Sequence, residues 1–328
     1  MKCFLTGITG FIGSNLARNL ATDGHQVNAI IRGPVSEEFK EYPTVRFFKS
    51  DLHNLEMLKQ AMEGCDVAFH LAAYAKPWSK NPHDFHRINV EGAANVFEAA
   101  LASGVKKVVF TSTAGTTSPS PGLEPMDESC QRTIPFFNDY ESTKAEAEEV
   151  AMEYCRKGLQ IVIVNPTRVY GPGPLNASNS LTRMIDGYVK GSWRIIPGDG
   201  NKTGNYVYID DVVDGHMLAA EKGRAGEKYI LGGENLTFNE LFGVLASVTG
   251  KKRRMLHLPL SIMMVISKMM VWQNKITGVS PAITPGFVRK YMVHWSLTSD
   301  KAIRELGYRF TSFGKGAQMT LEWLEKRD

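Results

Sequence analysis

The chain lacks the common devices for crossing a bilayer, stapling itself covalently or wrapping a polyanion. No apolar run approaches the ~20 residues that a spanning helix needs. The four cysteines, Cys3, Cys65, Cys130 and Cys155, stand far apart with no C-x-x-C pair among them. That spacing excludes a disulfide framework and a zinc pattern, and it suits a reduced, cytoplasmic compartment. Met1–Gly7 carries one basic residue and a short apolar stretch that glycine interrupts, so a secretory leader is not expected. Excess charge is missing too: 38 Lys and Arg against 34 Asp and Glu leave a net +4, which gives no argument for nucleic acid. His83 and His86 lie close together, but no Cys, Asp or Glu set accompanies them. They read as a surface loop, and no metal site is expected. No internal repeat or low-complexity tract is present.

What the chain does have is alternation. Short apolar runs at Lys2–Leu5, Gln26–Ile31, Val45–Lys49, Val67–Leu71, Lys107–Ser112 and Gln160–Asn165 read as strands. Helical patterns at Phe11–Thr22, Leu55–Met62, Asn89–Ser103 and Tyr140–Arg156 separate them. Such alternation calls for parallel pairing through crossover helices. Val108-Val109-Phe110 and Ile161-Val162-Ile163-Val164 are apolar without a polar face, as central strands covered on both sides must be. The fold class is therefore α/β, a doubly wound parallel sheet. After Gly171-Pro172-Gly173-Pro174 the pattern is less regular, with helices expected at Asp210–Lys222 and Phe238–Thr249 and a strand at Lys228–Leu231.

The first strand runs into Thr6-Gly7-Ile8-Thr9-Gly10-Phe11-Ile12-Gly13, a G-x-x-G-x-x-G spacing. A tight turn, a close backbone approach to a pyrophosphate and close helix-on-strand packing each need a residue without Cβ. The following helix N-terminus offers free N–H groups to the anion. Arg32 closes the second strand, where an acidic residue would bond the 2′-hydroxyl of NAD. An arginine there suits the 2′-phosphate of NADP, so NADP(H) is favoured, with NAD(H) the alternative.

Tyr140 and Lys144 are four residues apart and share one face of a predicted helix. A phenol titrating near ~10 is a poor acid–base group at neutral pH. A neighbouring ammonium favours the phenolate, so the phenol can exchange a proton with a carbonyl or alcohol oxygen as hydride moves. The fifth strand ends in Thr111-Ser112-Thr113. A hydroxyl at a strand's carboxyl end lies where open α/β sheets bind ligands. Thr113 is the candidate to orient the substrate oxygen, and Ser112 is the near alternative.

These blocks resemble the extended short-chain dehydrogenase/reductase family, the NAD-dependent epimerase/dehydratase superfamily. The resemblance covers essentially the whole chain. It also rests on His70-Leu71-Ala72-Ala73, on Asn165-Pro166-Thr167-Arg168-Val169-Tyr170-Gly171-Pro172-Gly173 and on Val207-Tyr208-Ile209-Asp210-Asp211-Val212. It implies a Rossmann-type domain over residues 1–170 plus about 206–232, with a smaller, interleaved substrate portion at about 171–205 and 233–328. It implies that Thr113, Tyr140 and Lys144 are catalytic and that Lys144 bonds the nicotinamide ribose. Asp51 and Leu52 would lie beside the adenine, Leu71, Ala72 and Ala73 along the cofactor, and Pro166 and Val169 near the nicotinamide. Asn89 matches a position of variable role and stays outside the catalytic set. A homodimer through the Asn89 and Tyr140 helices is a family expectation.

The stretch Ile31-Arg32 and the segment Phe110–Thr116 look most like the dihydroflavonol-reductase and 3β-hydroxysteroid-dehydrogenase branch. That implies an oxidoreductase interconverting a carbonyl and a secondary alcohol on a small hydrophobic substrate. Sugar-nucleotide epimerases are the competing branch, and a non-catalytic cofactor sensor is a third reading. Such epimerases often carry an Arg just before the strand that here holds Tyr206-Val207-Tyr208. Gly204 takes that place, and Lys202 is the one substitute nearby. Dehydratases of the family usually have Asp-Glu after the catalytic hydroxyl, whereas Ala114-Gly115 follow here. In the variable half, Met263, Met264, Met269, Met270 and Trp272 read mainly as helix core, with a greasy pocket as the alternative. Lys251-Lys252-Arg253-Arg254 read as a solvated turn, and contact with a membrane surface is not expected.

Overall fold

The computed structural model describes residues 1–76 and 78–327. Its strands are β1 (Lys2–Thr6), β2 (Gln26–Ile31), β3 (Val45–Lys49), β4 (Val67–His70), β5 (Lys107–Thr111), β6 (Ile161–Pro166), β7 (Arg168–Tyr170), β8 (Ile195–Pro197), β9 (Thr203–Tyr208), β10 (Lys228–Leu231), β11 (Glu234–Thr237) and β12 (Leu256–Leu258). The helices are α1 (Phe11–Thr22), α2 (Leu55–Met62), α3 (His83–His86), α4 (Gly92–Ala102), α5 (Asp139–Arg156), α6 (Ser180–Lys190), α7 (Ile209–Lys222), α8 (Phe238–Thr249), α9 (Leu260–Thr277), α10 (Pro285–Lys290), α11 (Asp300–Leu306) and α12 (Phe313–Arg327).

Seven strands form one parallel sheet in the order β10-β6-β5-β4-β1-β2-β3. The order reverses between β1 and β4, which opens a crevice at the carboxyl ends of the strands. Every residue of β6 is buried, as its unbroken apolar run requires. One core layer joins α1 and α7 to the sheet through Leu16, Leu20 and Val212. The other joins α2, α4 and α5 through Leu58, Phe97 and Ala147. The fold is thus the doubly wound sheet that the alternation predicts.

A second, three-stranded sheet in the order β11-β9-β7 mixes antiparallel and parallel pairing. It was not legible in advance, because its strands are short and distant in sequence. The predicted helix from Asn89 begins earlier: α3, a π-helical segment (Arg87–Glu91) and α4 follow one another without a break. His83 and His86 therefore sit on a helix and not in a loop. His86 is held there by Glu91 and Glu146, at 3.3 and 3.0 Å.

Candidate active site

The crevice at the strand ends is a cavity of about 740 Å³. Its cofactor half is built on two glycines. Gly7 has φ +83°, and a Cβ there would stand 2.8 Å from the Ala72 amide nitrogen. A Cβ on Gly13 would stand 2.1 Å from the Gly7 carbonyl oxygen. Both spaces must stay empty for the loop to lie flat against the neighbouring backbone. Gly10 caps α1 without a side-chain bond, and the first turn of α1 holds no acidic residue. Its free N–H groups and positive dipole end therefore face the cavity uncompensated, as an anion-binding helix start requires. By contrast, α5 is capped by the Asn138 side chain and carries Asp139 and Glu141 in its first turn.

The turn after β4 is pinned by one hydroxyl. Thr6 Oγ1 accepts from the Leu71 and Ala72 amides at 3.1 and 3.0 Å, and it lies 2.8 Å from His70 Nδ1. Nε2 of the same ring is buried with no hydrogen-bond partner among the described residues. Burial, and secondarily the Lys144 charge, push the His70 imidazole down to about 3, so it stays neutral. The stretch Leu71–Ala73 lines the cavity just beyond this clamp.

Arg32 also lines the cavity at the end of β2, exposed. No carboxylate among the described residues pairs with it. The nearest acidic residues along the chain are engaged, with Glu38 paired to Arg18 at 2.9 Å and Glu37 to Lys40 at 2.7 Å. Glycine cradle and open helix start together fit a dinucleotide diphosphate.

Tyr140, the second residue of α5, lines the same cavity as Thr113. Burial, with help from the Glu141 carboxylate, pushes the phenol up to about 12, while the Thr113 hydroxyl works against the rise. Lys144 stands one turn further on, fully buried, with its ammonium 4.1 Å from the centre of the Phe110 ring. Burial pulls it down to about 7, against the opposing influence of Glu148. Lys144 does not itself line the cavity. Every other residue of the expected catalytic and cofactor-binding sets does: Gly7, Thr9–Gly13, Arg32, Asp51, Leu52, Leu71–Ala73, Thr113, Tyr140, Pro166 and Val169.

Ser112, the alternative to Thr113, is committed elsewhere. Its hydroxyl donates to Glu148, which also accepts from Thr116 and Asn165 at 2.9 and 2.8 Å and pairs with Lys228. The loop that carries Thr113 is tied down by Arg132, which donates to the Gly115 and Thr117 carbonyls at 2.8 and 2.7 Å. Arg132 and Lys290 flank the buried Glu141 carboxylate at 3.6 and 2.5 Å. Asn89 accepts from the Tyr74 amide at 2.7 Å and donates to Thr143 at 3.0 Å. It ties the turn after β4 to the helix of Tyr140 without lining the cavity. Its backbone lies in the π-helical segment, a device that often marks functional sites.

The family model described as the NAD dependent epimerase/dehydratase family matches residues 3–232. The chain belongs to that family. It is an NAD(P)-dependent oxidoreductase of the extended short-chain type, and its cofactor is a nicotinamide dinucleotide. A Synechocystis sp. protein provisionally named dihydroflavonol 4-reductase is 29% identical, covering 98% of this chain and 94% of its own. The 4-hydroxy-2-methyl-3-oxo-4-farnesyl-3,4-dihydroquinoline-1-oxide ketoreductase of Stigmatella aurantiaca is 28% identical, covering 94% and 92%. Among solved structures, the UDP-glucose 4-epimerase of Thermotoga maritima with UDP-glucose superposes with a TM-score of 0.82 and 26% identity, covering 100% and 99%. The chain is therefore similar to proteins of both branches weighed in the sequence.

One residue of the family's Asn165–Gly173 block gains importance only in three dimensions. A Cβ on Gly204 would stand 2.5 Å from Arg168 Nη1. The Arg168 guanidinium thus fills the space beside Gly204, donating to the Tyr206 hydroxyl at 3.1 Å and lying over the Tyr206 and Phe238 rings. It lines the cavity, and no described carboxylate pairs with it. Lys202 does not take that role. Its ammonium lies 3.2 Å from His294 Nε2, away from the cavity lining. The signal for Arg168 was the missing side chain at Gly204, which leaves room for a guanidinium from the adjacent strand.

Proposed function

We propose that the protein is an NADP(H)-dependent reductase or dehydrogenase that interconverts a carbonyl and a secondary alcohol on a small hydrophobic substrate. The observation that carries this reading is that Tyr140 and Thr113 line the same cavity as the glycine cradle, with Lys144 buried one turn further along α5. The bound nicotinamide supplies or accepts the hydride. Thr113 orients the substrate oxygen. Tyr140 holds the proton at its phenol oxygen and gives it to that oxygen in reduction, or takes it in oxidation. Lys144, cationic for part of the time near neutral pH, favours the phenolate through the field of its ammonium.

The substrate half of the cavity supports an apolar ligand. Leu181, Met184, Trp193, Phe238, Phe287 and Tyr291 line it, and Arg168 is its one cation without a described carboxylate partner. Names of similar proteins that specify ketoreductase and alkyl-oxoalkanoate reductase activities support the same direction.

The test is a thermal-shift titration with NADP, NAD and a panel of nucleotide sugars, followed by NADPH oxidation with apolar ketones. A ligand of the native state raises the melting temperature by mass action. NADP should give the larger shift, and Arg32→Asp should reverse the preference. Stoichiometric NADPH loss should accompany alcohol formation. Retained NAD together with a large shift by a nucleotide sugar would replace this reading with epimerisation.

A further inference from the structure

The helix α9 places its oily residues outward. Met263, Ser267 and Asn274 are its buried positions. Ile262, Val265, Ile266, Met269, Trp272 and Ile276 are exposed, four of them by more than half. These residues recur at spacings of three, four and seven, so they form one stripe on the side of the helix opposite its buried positions. Solvent-facing helices normally reverse this arrangement, and a contiguous apolar face of this length marks a contact site.

Charge along this part of the chain has one sign. No acidic residue occurs between Glu240 and Asp300, while Lys251, Lys252, Arg254, Lys268 and Lys275 all lie there and are exposed. The oily surface also reaches toward the cavity. Exposed Leu256 pairs in register with exposed Ile195 across β12 and β8. Two residues before Ile195, Trp193 is part exposed and lines the cavity.

We propose that α9 and the basic segment before it form a docking surface for an anionic lipid bilayer, along which apolar substrate reaches the cavity past Trp193. The bilayer is favoured over a second copy of the chain by charge. A two-fold interface is self-complementary, so the stripe would bring the cations of each copy against those of the other. An anionic leaflet accepts both features at once: the apolar stripe enters the acyl boundary and the lysines and arginines meet the headgroups. Trp272 suits that depth, with an apolar ring and one polar N–H. No described helix is long and apolar enough to cross a membrane, so the contact lies along the surface.

The experiment is co-sedimentation of the full chain with vesicles of phosphatidylcholine alone or mixed equally with phosphatidylglycerol, at low and high salt. The oligomeric state is measured in parallel by analytical ultracentrifugation. Binding should require phosphatidylglycerol and weaken with salt. It should fall by roughly two orders of magnitude in Lys251→Gln/Lys252→Gln/Arg254→Gln. It should be lost in Ile262→Ser/Met269→Ser/Trp272→Ser, with the NADP-induced thermal shift retained to show that the variant folds. Equal binding to both vesicle types, no binding at all, or a wild-type dimer that the serine variant dissociates would each overturn the proposal. Because sedimentation needs no turnover, the result stands apart from the proposed chemistry.

Discussion

At the scale of single residues, Lys144 is in tension with its surroundings. Burial lowers its proton affinity to about 7, whereas an unfolded lysine titrates near 10.5. Between those values the unfolded chain holds a proton that the folded chain has lost, so stability rises with pH across that window. Below it, the fold must accommodate a desolvated cation. Lys144→Met should therefore raise the melting temperature of the cofactor-free protein by a few degrees near neutral pH, an advantage that fades toward pH 10. The same change should abolish turnover. A variant that melts lower at pH 7 would show that the ammonium is better solvated than its burial indicates. Tyr140→Phe tests the other half of the pair. Its kcat/KM should fall by about 10²–10⁴, while the thermal shift with NADP stays within error. Retained activity would move the proton transfer to another group. Both residues were recognisable from their spacing. Arg168 was not, because its importance comes from an empty position 36 residues away, at Gly204.

At the scale of elements, the site depends on how strands and helices are tied at their ends. The Thr6 hydroxyl joins β1 to the turn after β4, and Asn89 joins that turn to α5. Asn89→Ala would leave the part-buried Tyr74 amide and the Thr143 hydroxyl without these partners, at a cost of about 1–3 kcal/mol in stability. Turnover should fall more than cofactor affinity, because α5 carries Tyr140 and the glycine cradle is untouched. Equal losses in both would mean that Asn89 acts on the fold as a whole. Within the sheet, Ile163 in β6 is fully buried, and Ile163→Ala should cost about 2–5 kcal/mol, read from the urea midpoint. The strands and helices of the first half were legible because burial on both faces leaves a plain apolar run. By contrast, α9 misleads a sequence reading. Its methionines and Trp272 look like core, yet only Met263 among them is buried. Composition records that a residue is apolar but not whether another element covers it.

At the scale of the whole molecule, acid stability is set in part by two histidines that the fold keeps neutral. His70 is held near 3 and His216 near 4, both mainly by burial. Below about 6.5 the unfolded chain gains protons at these sites and the folded chain does not. Stability should then fall by up to about 1.4 kcal/mol per pH unit for each histidine until the folded values are reached. Urea midpoints at pH 6.5 and pH 5 would measure the slope, and His216→Gln should reduce it. An unchanged slope would assign the acid sensitivity to other groups. By itself, the sequence determined the parallel sheet, the glycine turn after β1 and the placing of Tyr140 and Lys144 one turn apart on a helix, because strand burial, glycine's missing Cβ and helical spacing are local constraints. The tertiary structure decided that Ser112 is committed to Glu148, which cation fills the space at Gly204 and which face of α9 is left uncovered. Those outcomes depend on segments far apart in the chain competing for the same space, and no local pattern encodes that competition.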